Sequence, residues 1–364
     1  MDQSTRQPEQ PYKKKKIRHT WAWVYGILLT AYTVFTMLDV FVIPHDTVKV
    51  EQSAMAEVYR TSSEYADTDI HVKKMSGKIR STESPAVSGT AAGSGTAAGE
   101  TDSEGTGTGN TAVTEPTITA TENGYIYQDE NITIQLTQRY VYSTMVYVAD
   151  IQLSSVASLR SGLANDSFGR NVKEKTSDIA ERVGAILAIN GDYYGFRDSG
   201  YVIRNGILYR STMSDESSED LVIYEDGSLE IIREGDVTAE ELLERGALQV
   251  YSFGPGLVKD GEITVTESSE VGHSMTSNPR TAIGCISPLH YVMVVSDGRT
   301  SESAGLSLLQ LASILQDLGC TDAYNLDGGG STTMVFNGEV INNPTTNGKK
   351  ESERSVSDIV YIGY

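Results

Sequence analysis

"NLDGGGSTTMV", residues 325–335, decides how this chain is read. An apolar run ends in Asp327, three glycines follow at once, and Ser331, Thr332 and Thr333 come next. A glycine inside a strand costs about 0.5–1 kcal/mol relative to alanine. Gly328, Gly329 and Gly330 in a row exceed what a simple bulge between two core strands needs. Consecutive glycines leave backbone N–H groups bare, and such a turn can form an anion-binding concavity. Ser331 and Thr332 add hydroxyl donors. Asp327, beside them, can act as a general acid or base, or hold a cation.

A second strand end has the same character. "AINGDYYG", residues 188–195, closes an apolar run with Asn190, Gly191 and Asp192. Asn-Gly alone reads as a turn, but two apolar strands finishing in Asn/Asp plus Gly suggest ends that open onto one cleft. Ligands in α/β domains often lie at strand ends. Asp192 and Asp327 facing one another would be the carboxylate pair that glycosidic bond cleavage usually requires. In "NPRTAIG", residues 278–284, Arg280 stands where a strand begins. It can grip a phosphate in bidentate fashion, or it is an ordinary surface arginine in an ion pair. "SFGPG", residues 252–256, is a rigid turn that either shapes a pocket wall or is a tight turn only.

The remaining chemistry is sparse. There are five histidines. His19, His45 and His71 precede the domain, His290 is at a strand start, and His273 is close enough to Arg280 in sequence to share its cleft. With two separated cysteines, Cys285 and Cys320, this is no catalytic zinc set. The two are read either as buried free thiols or as one disulfide. No cofactor is required by these motifs, although carboxylate oxygens leave a calcium or magnesium ion open, without EF-hand spacing. There is no G-x-S-x-G elbow and no Walker A motif.

Around these stretches the pattern is mostly strand. "YIYQDENITIQLTQRYVYSTMVYVADIQLS" alternates and is rich in Tyr, Val, Ile and Thr, giving two or three strands. "GAILAIN", 184–190, is nearly all apolar, as for a strand buried on both faces. "YVIRNGILYR" and "LVIYEDGSLEII" are hairpins turning at Asn205-Gly206 and Asp226-Gly227. "TSDIAERVG" is a short helix. "TAEELLERG" opens with the capping box Thr238/Glu241. "SLLQLASILQDLG", 307–319, is a helix with Ser307/Gln310 as its capping box and Gly319 as its stop. The fold class is therefore mixed α/β, α+β in arrangement and strand-rich with few helices, as a single domain over residues 124–364.

The N-terminal third is of another kind. Residues 1–20 form a basic tail, six Lys/Arg against two acids, a net of +4 that leaves about −24 for the rest of a chain at −20. So acidic a body argues against nucleic acid as a partner, because no basic face is left to release phosphate counterions. Residues 21–43 are long and apolar enough to span a bilayer, and Trp21, Trp23 and Tyr25 suit its interface. The lysines before it place the N-terminus in the cytoplasm and the rest outside, as a single-pass anchor rather than a cleaved signal. Residues 44–83 read as a polar stalk. Residues 84–123, with "SGTAAGSGTAAG" at 88–99, read as a low-complexity, disordered linker with a reach on the order of 35 Å.

Taken in order, "AINGDYY", a hairpin turning at "NG", "SFGPGLVKDG", "NPRTAIG", "VMVVSDGR", the leucine-rich helix and "LGCTDAYNLDGGGSTTM" resemble the phosphodiester glycosidase family. The resemblance covers roughly 180–364, and the strands from 124 more loosely. It implies hydrolysis of a sugar 1-phosphate diester on the sugar side, releasing the sugar and leaving a phosphomonoester. Carried over by position, it implies a site of Asn190, Gly191, Asp192, Arg280 and Asp327 to Thr332. Arg280 and the glycine N–H groups would hold the diester, and Asp327, with Asp192 second, would do the acid–base or charge-stabilising work. The anchor and linker suggest an extracellular enzyme of surface or exopolysaccharide-type glycans. A binding module for phosphorylated glycans, without turnover, is the alternative.

Overall fold

The computed structural model describes residues 20–49, 115–269 and 277–364. The basic tail, most of the stalk and linker, and His273 lie outside the described residues. The first helix runs Thr20–Phe41. Its apolar span, Trp21–Phe41, is long enough to cross a membrane, and none of it is buried against protein.

Among the described residues, three large sheets build the domain, beside one two-stranded pair. One has nine strands, from Glu262–Ile263 at one edge to Thr117–Thr121 at the other, and two have five strands each. Every pairing among the described strands is antiparallel. The apolar run at 184–190 is buried on both faces for a different reason than a parallel sheet would give. Leu187 and Ile189 face the core shared by all three sheets, while Ala188 faces Ile179 and Ala180 of the short helix Thr176–Val183. The nine-stranded sheet is covered in the same way. Ile283, Met293, Tyr324 and Leu326 point to the shared core, and Ala282, Val292, Val294 and Ala323 point to the helix Leu308–Asp317. Because one core is built from residues of all three sheets, they form one domain.

Local signals are met where the chemistry is strong. Asn205 and Gly206 both have positive φ (52° and 75°), as a type I′ hairpin turn demands. Both capping boxes form, Thr238 with Glu241 and Ser307 with Gln310. Cys285 and Cys320 are free and buried, and burial pushes their thiols up to about 11 and about 12.

Two boundaries differ from the sequence reading. Thr117–Thr121, in the stretch assigned to the linker, is an edge strand paired with Gly124–Gln128. Its alternating Thr and Ile have β propensity that the neighbouring low-complexity composition obscures. His45–Lys49, in the stretch assigned to the stalk, pairs antiparallel with Ser167–Arg170.

Candidate active site

The site lies where strands of all three sheets end together. From one five-stranded sheet come Leu187–Asn190 and Asp358–Ile362. The other supplies Val202–Arg204 and Ala247–Tyr251. From the nine-stranded sheet come Arg280–Ser287 and Asp322–Leu326.

The two strand ends singled out in the sequence are bonded to one another. Asp327 N donates to Gly191 O at 3.2 Å, and Asn190 Nδ2 donates to Asp327 O at 2.6 Å. Asn190 Oδ1 accepts from Thr281 Oγ1 at 2.8 Å and from Thr333 N at 3.2 Å. Asn190 is wholly buried, so its amide is a clasp between strands, with both its polar atoms already engaged. A Cβ on Gly191 would collide with the Asp358 carboxylate; only glycine lets these two strands close.

Asp192 and Asp327 therefore come together, but in unlike settings. Asp192 is held from all sides. Its Oδ1 accepts from Tyr193 N at 2.5 Å and its Oδ2 from Ser252 N at 2.9 Å. Arg204 Nη2 stands 3.5 Å from Oδ2, and Asp192 N donates to Asp358 Oδ1 at 2.8 Å. Arg204 in turn donates from Nε to Asp358 Oδ2 at 2.7 Å, with its guanidinium 4.0 Å from the Tyr251 ring centroid. The side chains of Arg204, Asp192 and Asp358 are each 0% exposed. This is a buried ionic triad of one cation and two carboxylates. Burial lifts the Asp358 carboxyl to about 6, with Arg204 pulling down and Asp192 pushing up.

Asp327 is the accessible member, its side chain 10% exposed, and it meets Arg354, 42% exposed. Arg354 Nη2 donates to both carboxylate oxygens, at 3.2 and 3.0 Å, while its Nε donates to Ser331 Oγ at 2.8 Å. Burial raises the Asp327 pKa most; Arg354 and Ser331 lower it, and the Asp192 charge raises it, leaving it above the ordinary carboxylate value.

The triple-glycine turn curls as a short 3₁₀ segment, Gly329–Ser331. Gly329 has φ +61°, and a Cβ there would lie 2.8 Å from Arg299 Nη2. Gly329 N donates to Pro279 O at 2.8 Å, and Gly328 lies against the backbone of Pro279 and Arg280. Gly329→Ala is expected to lose about 1–2 kcal/mol from the left-handed backbone alone and to displace Arg299; a thermal melt beside substrate-binding measurements checks both effects. Thr332 and Thr333 are buried, with hydroxyls that have no hydrogen-bond partner among the described residues.

Arg280 meets the turn by its backbone, and its buried side chain donates from Nε to Leu306 O at 3.0 Å. Two arginines given no role in the sequence reading also stand against the turn, Arg354 and Arg299. Arg299 is fastened by Nε and Nη2 to Asn278 Oδ1 and by Nη1 to Thr346 O. Burial and then the neighbouring Arg354 charge hold its pKa below the usual guanidinium value. Like charges brought together in this way favour a bound anion. Among the described residues, no group of three or more His, Cys, Asp or Glu could hold a metal ion.

Joined strand ends, a glycine turn and flanking arginines thus meet in one place. Residues 183–363, just under half of the chain, match the family model described as phosphodiester glycosidase, and the domain is similar to that family over this stretch. The SPbeta prophage-derived uncharacterized protein YomE of Bacillus subtilis (strain 168) is 31% identical over 203 residues, covering 54% of this chain and 31% of that protein. The N-acetylglucosamine-1-phosphodiester alpha-N-acetylglucosaminidase of Mus musculus is 29% identical over 185 residues, covering 46% of this chain and 35% of the mouse protein. The match thus spans about a third of the length of these relatives. In three dimensions the chain resembles the zebrafish N-acetylglucosamine-1-phosphodiester alpha-N-acetylglucosaminidase catalytic domain, auto-inhibited by its pro-peptide, with a TM-score of 0.52 and 22% identity over 64% of this chain and 83% of that one. That likeness concerns the fold.

Proposed function

We propose that this chain is a membrane-anchored hydrolase that cleaves the glycosidic bond of sugar 1-phosphate diesters. The observation that carries the reading is Asp327: of two carboxylates at the joined strand ends it alone reaches solvent, and it does so bridged to Arg354. Arg354, with Arg299 behind it, would hold the single negative charge of the diester. Phosphate is already a good leaving group, so one carboxylate that activates water or meets the developing oxocarbenium ion can suffice. Asp327 takes that role. Asp192, locked to Arg204 and Ser252 N, keeps the Gly191–Asp327 junction in place and adds negative field beside the reacting carbon.

The apolar N-terminal helix fits an anchor. With the lysines on its N-terminal side, we place the tail in the cytoplasm and the domain outside, on surface or exopolysaccharide-type glycans. N-acetylglucosamine is the first sugar to try, because the mouse relative is named for action on N-acetylglucosamine 1-phosphodiesters. The test is a panel of UDP-sugars and methyl-phosphate sugar diesters given to the detergent-solubilised chain, with and without chelator. Sugar release that survives the chelator is expected. Saturable binding with no sugar released under any metal condition would instead favour the binding-module reading.

Arg354→Gln separates anion grip from chemistry. The Arg354 charge lowers the Asp327 pKa; without it that pKa rises. If ionised Asp327 is required, the acid limb of kcat/KM should move to higher pH and KM should increase, as a pH–rate series on the two proteins would reveal.

A further inference from the structure

We propose that the catalytic domain is docked directly at the membrane surface by residues 45–49, so that this strand, and not the length of chain that follows it, sets the domain's distance from the bilayer. The proposal rests on reading residues 21–41 as a membrane anchor.

The anchor helix ends at Phe41, and Val42 and Ile43 continue it by donating to Leu38 O. From His45 the chain enters an antiparallel pairing with the domain, His45 opposite Arg170, Val48 opposite Phe168 and Lys49 opposite Ser167. The corner is fixed by Asn171, 4% exposed, whose Nδ2 donates to Val40 O and to Ile43 O, both at 3.0 Å. These are carbonyls at the end of a helix, which have no partner within it, and the domain supplies one. After the undescribed stretch, the chain is again part of the same body at Thr117–Thr121, the edge of the nine-stranded sheet. Both ends of 50–114 are thus fastened to one domain.

The docking strand is coupled to the site through side chains. Phe168 stacks on Tyr194 with ring centroids 5.1 Å apart, and the Arg204 guanidinium is 5.5 Å from the Tyr194 ring centroid. Asn171 N donates to Gly195 O at 2.9 Å, and Gly195 N donates to Ser357 Oγ, next to Asp358. A domain held this way works at a fixed, short distance from the bilayer. A free linker of that composition would let it sweep a radius on the order of 35 Å. The favoured substrates are then sugar phosphodiesters presented at the membrane surface.

The experiment uses the full chain in membranes, with a specific protease site inserted between residues 84 and 114. Intact protein should pellet with membranes, and after cutting, the domain fragment should still pellet. Gly169→Val puts side-chain atoms where a Cβ would already be 2.9 Å from His45 O, and Asn171→Ala removes the corner bonds; each should release the fragment on cutting. A K49C/S167C pair, directly opposed in the register, should trap the contact as an oxidised cross-link that holds the two fragments together on a non-reducing gel. Release of the otherwise unaltered fragment on cutting, with no cross-link in the cysteine pair, would overturn the docking while leaving the anchor intact. Recovery of the intact chain from the soluble fraction before cutting would overturn the anchor reading, and the docking with it.

Discussion

Arg204→Met is expected to destabilise the domain by about 3–5 kcal/mol, because it strips the counter-charge in contact with two carboxylates whose side chains are wholly buried. Domains of this kind have a total stability of about 5–15 kcal/mol, so the variant should unfold at markedly lower denaturant and accumulate poorly. Arg204 also fills space between the Tyr251 and Tyr194 rings, which methionine replaces in volume, so the deficit should be chiefly electrostatic. Two controls separate charge from packing. Adding Asp192→Asn and Asp358→Asn to Arg204→Met should recover part of the loss, since neutral amides do not need the cation. Lower pH should also narrow the gap between Arg204→Met and the parent, because Asp358 can then take up a proton. Arg204 lowers the Asp358 pKa, so without it the carboxyl titrates higher still and the variant gains more than the parent on acidification; the parent itself already carries a raised pKa. The folded value is about 6 against an ordinary 3.8, so this group's stabilising share is fully present below about pH 4 and is lost as pH rises through about 6, a change of about 3 kcal/mol. Urea midpoints measured at pH 5 and pH 8 on the parent, the single variant and the triple variant decide the matter; equal midpoints for parent and Arg204→Met at pH 8 would show that the triad is not what holds these strand ends.

Asp327→Asn is expected to lower kcat by between about 10²- and 10⁴-fold, the range of a lost acid–base group, with a thermal midpoint close to that of the parent. The asparagine amide keeps the volume and one oxygen for Arg354, and the Asp327 backbone bonds to Gly191 and Asn190 are unaffected. Asp192→Asn should behave in the opposite way, losing stability at least as clearly as rate, because its carboxylate is engaged by Tyr193 N, Ser252 N and Arg204. Measuring kcat and melting temperature together on both variants distinguishes the residue that meets substrate from the one that positions it. A fall in kcat for Asp192→Asn alone would reverse the two assignments.

The meeting of "NLDGGG" and "AINGD" was legible because both stretches break the rule of their surroundings: apolar strands that run into an Asn or Asp with glycine directly after it. The strand-rich class was legible from alternation and turn residues. What escaped were the partners. Arg204 reads as the middle of an ordinary hairpin, "YVIRNG", although its place among buried neighbours carried a signal, since a charge there needs a mate. Asp358 opens an apolar strand in the same unremarked way. Arg354 lies in "KKESERS", a polar stretch with the look of a solvated loop, and only the folded chain brings it to Asp327. Asn190 was legible as a site residue by position, but not as a clasp, because its bonds run to Thr281, Asp327 and Thr333, all far away in sequence. The docking strand at 45–49 was hidden for a similar reason: five mostly polar residues have no pattern of their own, and the edge they pair with is defined by other parts of the fold.

The strand Asp358–Ile362 lies between Leu159–Leu163 and Leu187–Asn190 in its sheet, and it also delivers the carboxylate to which Arg204 and the Asp192 amide are tied. During synthesis, the ribosome will have produced nearly every other wall of the pocket before this piece emerges. Until it inserts, a gap runs through the middle of that sheet and a guanidinium waits without its closest mate. Chains cut short before Asp358 should therefore be protease-sensitive, because that sheet is left split and Arg204 and the Asp192 amide lose the carboxylate they are tied to.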